Sequence, residues 1–398
     1  MTATHGIRVP PAVHGELESA DLVADPYPGY AELRRKGSVL WFEAIRRYLV
    51  IGFEACRQVE MDDVTFSSDD PASLQRRAMG HSMIRKDGHQ HTVERRGFGN
   101  VLKPKEIMRT WRAVFAETTA AAVRRYRALG PGADFHTEFA APLAGENLRR
   151  IIGFANATSE DLRRWSQDLI DGAGNYADDP DVWARAARSN AEIDAAIAEL
   201  RPRLTAEPDA SLLAQVLSTG QSTESVCANV KLAVSGGLNE PRDLMGTIVW
   251  ALVERPEQLA LVLDGKASWS TVFDEAVRWV SPLGMYVRRT TTDTELDGFA
   301  LPSGAQLAIV VAAANRDPAQ FEDPDQFDVR RDKRPHLAFG NGPHFCAGSW
   351  VARSMVADFA MPAVFAALHD LRLDPANPPA AAGWVFRGPT SLPLHWAA

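Results

Sequence analysis

Cysteine is scarce in this chain: three in 398 residues, at positions 56, 227 and 346, far apart from one another. Scattered thiols make no disulfide framework, so a reducing compartment is expected. They also argue against a zinc site, which needs several Cys or His ligands at short spacing. No apolar run approaches the roughly 18 residues of a membrane-spanning helix. The opening stretch, Met1 to Pro11, has no apolar core of the kind a secretory signal carries. The expectation is a cytoplasmic protein with no membrane segment. Positive charge is not in excess either: the net charge is −8. That argues against a nucleic-acid partner while leaving room for a local basic patch. Internal repeats and low-complexity linkers are absent. What is present is ordinary for a globular protein that buries a large core, with 45% hydrophobic and 24% charged residues. No clear boundary divides the chain, so 1–24 is expected as an irregular tail and 25–398 as one domain.

Helical patterning dominates. A short helix is expected from Asp25 to Arg34. The β-prone runs Val39–Phe42 and Tyr48–Ile51, parted by a polar turn, read as a hairpin. Residues 71–88 are polar and aperiodic and read as a long loop, which in a compact domain is often functional. Helices follow from Val101 to about Leu204, broken at Gly130-Pro131-Gly132, at 172–175 and at 178–180. The run from Glu224 to Glu254 contains Gly236, Gly237 and Pro241, poor residues for a helix interior. It is either two helices meeting there or one helix bent over a site. Residues 257–280 are helical, 285–311 are strands, and a coil rich in Asp, Pro and Phe leads to Cys346. A last helix is interrupted at Pro362, and β-like segments lie around 384–386 and 392–396.

Cys346 stands in Phe339-Gly-Asn-Gly-Pro-His-Phe-Cys346-Ala-Gly348, a glycine-rich loop running into a helix N-terminus. Backbone N–H groups and the helix dipole there favour a thiolate, which is either a nucleophile or a metal ligand. His344 lies close enough in sequence to be a base for the first. A single thiolate also suits haem iron, where the porphyrin supplies four ligands. The pattern Phe-Gly-x-Gly-x-His-x-Cys-x-Gly, complete at 339–348, resembles the haem-binding loop of the cytochrome P450 family. The resemblance implies a mainly α fold with small β-sheets, haem b held between a long kinked central helix and the cysteine loop, and Cys346 as iron ligand. Phe339 and Gly340 would then lie against the cofactor.

Other motifs follow in the order the same family has them. Glu275-Ala-Val-Arg278 resembles its Glu-x-x-Arg motif, with Arg331, or else Arg330, as the partner from the later coil. The resemblance makes Glu275, Arg278 and Arg331 a structural cluster. His91 and Arg95, four apart on one helix, together with Arg288 and His344, would bind the haem propionates. It also implies O2 as co-substrate, electrons from an NAD(P)H-dependent reductase or a ferredoxin, and a donor that docks near Cys346, where Arg95, Arg96, Lys103, Lys105 and Arg353 are basic.

One position departs from the family pattern. The central helix usually carries an acid followed by threonine; here Glu240 is followed by Pro241. Proton delivery then falls to Glu240, Asn239, water or the substrate. The stretch Gly237-Leu-Asn-Glu-Pro241, with Gly383-Trp-Val-Phe-Arg-Gly-Pro-Thr-Ser-Leu392, resembles a bacterial subgroup that O-demethylates guaiacol and alkylguaiacols. By that resemblance a small aromatic substrate would meet Met79, Ala173, Val234, Gly237, Leu283, Val287 and Phe386. Competing expectations are hydroxylation of another apolar compound, such as a terpene or macrolide precursor, and a haem sensor without turnover.

Overall fold

The structure is a computed structural model and describes residues 8–13 and 19–397. Helices make most of it, with small sheets to one side. The expected tail lies partly outside the described residues. Of the described part, Ala12–Val13 pairs in parallel with Val39–Phe42, and Ser19–Ala24 is a helix, so these residues are not irregular. An apolar strand residue, Val13, is buried there and draws the segment onto the sheet.

The hairpin forms as read, Val39–Phe42 against Arg47–Val50, with Val39 opposite Val50. It belongs to a six-stranded sheet. Its second strand runs parallel to Gln306–Ile309, which is antiparallel to Tyr286–Thr290, and Phe66–Ser67 closes the edge. This sheet carries Val287 and Arg288, opposite Ala308 and Leu307.

Residues 71–88 are not one loop. Ser73 caps a helix, Leu74–Met79, through its hydroxyl, and a 3-10 turn follows at Met83–Arg85. Ala78 and Met79 are buried, and the helix packs on Ser159–Ala173. The approach is close: a Cβ at Gly172 would stand 3.0 Å from that of Ala78. Six residues are too few to establish a period, so only tertiary packing secures this helix.

The run from Glu224 resolves into two helices, Thr223–Gly236 and Asn239–Val253, meeting at Gly237-Leu238. Pro241 has no N–H to give the Gly237 carbonyl four residues back, so the helix opens there. Between this opening and the loop before Cys346 lies the main cavity. The last helical stretch continues through Pro362 as a wide π turn, Ser354–Ala360, followed by Met361–Ala367. Strands of the C-terminal part are His369–Leu373, paired with Leu394–Ala397, and Ala380–Ala382, paired with Gly388–Ser391; residues 384–386 contribute only an isolated bridge. No helix among the described residues is long and apolar enough to cross a membrane.

Candidate active site

The loop around Cys346 is held from three sides. Its N–H donates to the Phe339 carbonyl at 2.8 Å, closing the loop on itself. Phe339 stacks on Phe273 with ring centres 6.0 Å apart. Beneath it, Gly342 takes φ +63°, and a Cβ there would stand 2.4 Å from the Glu60 carbonyl. Only glycine allows both. Arg95 donates from Nη2 to the Phe345 carbonyl.

Behind this loop, the Glu275 carboxylate accepts from Arg278 at 2.8 and 2.7 Å and from Arg331 Nε at 3.1 and 3.2 Å. The Asp328 N–H adds a bond at 2.9 Å. Arg278 also donates to the carbonyls of Asn315, Pro324 and Gln326. Glu275 is thus the hub that fixes the coil before the cysteine. Arg330 is exposed and turns to Asp328 instead.

Cys346 is surrounded by protein and open only to the cavity whose wall it forms. The thiol is raised by burial, and the N–H groups of Gly348 and Ser349 pull it the other way. Cys56 is buried with its sulfur on the Val50 carbonyl, and neither it nor Cys227 reaches the cavity. The cavity behind Cys346 has a volume of about 360 Å³. Phe339, Gly340, His344, His91, Arg95 and Arg288 border it. The rings of His91 and His344 lie 4.2 Å apart. His91 is pushed down to about 4, mainly by burial, and is neutral at pH 7. His344 meets Asp87 at 3.1 Å and Ser68 at 3.3 Å.

Across the cavity stand Gly236, Gly237, Glu240 and Pro241. Glu240 is half-buried with its carboxyl inside the cavity, its Oε2 has no partner among the described residues, and desolvation pushes it up to about 8. Met79, Ala173, Leu283, Val287 and Phe386 also line the space. Leu283 and Phe386 face each other in an antiparallel bridge, with Gly284 N–H on the Val385 carbonyl at 2.7 Å.

Two expected residues are elsewhere. Val234 is buried in the core rather than on the wall, which Ala233, Ser235 and Gly236 form. One residue along a helix turns the side chain by about 100°, enough to leave the wall. Asn239 donates to Ser166 Oγ at 3.0 Å and does not border the cavity, so it is no proton donor at this site. Among the other residues that border it are Glu60, Arg85 and Tyr286. Their types carried a signal only once the sheet and the cysteine loop were brought together.

One cysteine on the wall, buried guanidinium groups with no carboxylate bonded to them, and an opened helix opposite suit a flat dianionic group whose metal accepts a thiolate. Haem b has that chemistry. The family model described as "Cytochrome P450" matches residues 270–361, which span the Glu275 cluster and the cysteine loop. The chain is 28% identical to "Cytochrome P450 monooxygenase PikC" of Streptomyces venezuelae over 97% of this chain and 95% of that one. It is 26% identical to "6-deoxyerythronolide B hydroxylase" of Saccharopolyspora erythraea, over 90% and 92%. It superposes on a solved structure, CYP154A1 from Streptomyces coelicolor, with a TM-score of 0.82 at 26% identity, over 94% and 98% of the two chains. The matched family range includes Cys346, likeness runs along nearly the whole length in sequence and in shape, and the chain belongs to the cytochrome P450 family of haem-thiolate monooxygenases.

Proposed function

We propose that the protein O-demethylates a small methoxyphenol, guaiacol or a 4-alkylguaiacol, to a catechol and formaldehyde. One observation carries this reading. The two stretches that resemble guaiacol demethylases, 237–241 and 383–392, are far apart in sequence but belong to elements that pack together beside the cavity. A Cβ at Gly246 would lie 3.0 Å from Pro389, and one at Gly388 would lie 2.4 Å from Asp243.

Cys346 would hold the haem iron, with His91, Arg95, Arg288 and His344 at the propionates. Bound there, haem b activates O2, so that one oxygen atom enters a C–H bond and the other leaves as water. Overall, the methoxyarene, O2, two electrons and two protons give the phenol, formaldehyde and water. Electrons come from a redox partner, a reductase using NAD(P)H or a ferredoxin. Leu283, Val287 and Phe386 fix the ring by shape, and their apolar surfaces exclude water from it. Ala173 leaves room for a para alkyl chain. Glu240 keeps a proton at its carboxyl on the wall where the helix opens, beside the proline that replaces threonine. A cytoplasmic location is part of the same reading.

The relatives named for macrolide chemistry favour a second reading, a larger apolar substrate. Titration of the holoenzyme with guaiacol, 4-propylguaiacol and a macrolide separates the two. Both phenols are expected to shift the haem from low to high spin and to release formaldehyde with the electron donor present. Ala173→Phe should weaken 4-propylguaiacol more than guaiacol. A spin shift with the macrolide alone, and no formaldehyde from either phenol, would refute the demethylase reading. The carbon monoxide complex of the reduced protein, red-shifted in the wild type and moved in Cys346→His, tests the thiolate separately.

A further inference from the structure

At one end of the cavity two buried arginines meet on one backbone oxygen. Arg288 donates from Nη1 to the Val287 carbonyl at 3.0 Å, and Arg85 donates from Nη1 to the same oxygen at 3.3 Å. Arg288 is 4% exposed and Arg85 7%. Arg85 lays its Nε on Gln75 Oε1 at 2.7 Å, which fixes the plane of its fork. Both residues border the cavity. Burial and then the charge of Arg288 hold Arg85 down to about 10.

Nothing among the described residues neutralises this pair by contact. Glu60 is the acid on the same wall, but neither of its oxygens has a partner. Burial pushes Glu60 up to about 8, so at neutral pH it is an uncharged acid. Asp70 acts on Arg85 only from a distance and accepts from the Ala72 N–H. Asp87, which acts on Arg288 in the same way, is occupied by His344, Ser67 and Ser68. The Tyr286 hydroxyl, under whose ring plane Arg288 sits at 5.1 Å, is also without a partner. Buried cations that touch no anion are costly unless something completes them. Two planar forks and a hydroxyl facing one space are donors suited to a carboxylate.

We propose that Arg85 and Arg288 together bind a single carboxylate at this end of the cavity, with Arg85 as a recognition residue additional to the expected propionate set. The carboxylate belongs either to the haem, as a propionate, or to an acid substrate such as a methoxybenzoate. The proposal rests on haem occupying the cavity and is independent of the demethylation reading.

Two binding measurements on the holoenzyme decide it, and neither needs turnover. Arg85→Gln is compared with wild type in spin-state titrations with 4-methoxybenzoate and guaiacol. If the substrate brings the acid, the variant weakens 4-methoxybenzoate tenfold or more and leaves guaiacol within twofold. Haem transfer to apomyoglobin is then timed for protein carrying haem or its dimethyl ester. If the propionate is the partner, the variant loses haem tenfold faster and loses the ester at the wild-type rate. Either result supports the pair and names the source. Both quantities within twofold of wild type, in a variant with an unshifted carbon monoxide band, overturn it. Should Arg85→Gln not load haem, Arg85→Lys keeps the charge without the fork. It must show at least a threefold loss in one of the two arms, and no loss in either overturns the proposal.

Discussion

Glu240 bears the largest demand of any single residue. It stands on the wall facing Cys346, and burial raises its carboxyl to about 8 against the pull of Arg242, with Asp243 pushing the same way as burial. An acid raised in this way is protonated below that pH and becomes a carboxylate above it. The donor form is therefore lost as pH rises through about 8. If the proposed demethylation holds, formaldehyde released per NAD(P)H consumed should fall across that window. In Glu240→Gln the yield should be low and flat with pH. A yield in the variant that still falls near pH 8 would move the donor to another group. Stability is linked to the same shift. The folded protein holds a proton that the unfolded chain releases from 4.5 upward, so stability falls between 4.5 and about 8. Melting temperature should decline less steeply over that range in Glu240→Gln.

Among elements, the helix Trp269–Val280 and the coil after Ala314 are joined through Glu275. Glu275→Ala leaves Arg278, 2% exposed, without its counter-charge, and breaking such a buried pair costs about 3–5 kcal/mol. Little haem-loaded protein should be recovered. Normal haem content with only slower turnover would show that the cluster is not structural. This cluster was legible in the sequence because an i, i+3 spacing and a fixed loop pattern survive without knowledge of the fold. So were the hairpin and the cysteine loop. The helix Leu74–Met79 was not, since its hold comes from Ser159–Ala173, some 85–100 residues later in sequence. Val234 was misplaced by a single step of helical rotation. Asn239 looked available until Ser166 was found bonded to its amide. Arg85 and Glu60 look like surface charges in the chain, and only the closing of the sheet and loop buries them.

Over the whole molecule the charge is −8, yet Arg96, on the same helix as Arg95, and Lys103 and Lys105, just beyond it, are exposed basic residues. Arg353 is less free, being paired with Asp274 and bonded to Ser270. An acidic electron donor would be steered to such a patch. Charge reversal at Arg96, Lys103 and Lys105 together should slow reduction of the haem several-fold at low salt and flatten the salt dependence. Unchanged kinetics would place docking on another face.

The cavity wall around Phe386 is assembled from segments far apart in sequence. Trp384 donates to the Tyr30 hydroxyl at 2.9 Å, Gly383 N–H reaches the Val23 carbonyl, and Arg387 binds the carbonyls of Val23 and Ala24. Phe386 lies within this seam. The wall therefore closes only through contacts between residues more than 350 positions apart, whereas the Cys346 loop closes on itself between Phe339 and Cys346. Contacts of such long sequence separation form slowly. Until those contacts form, the cavity would stand open on that flank, and haem would have a route to Cys346 there.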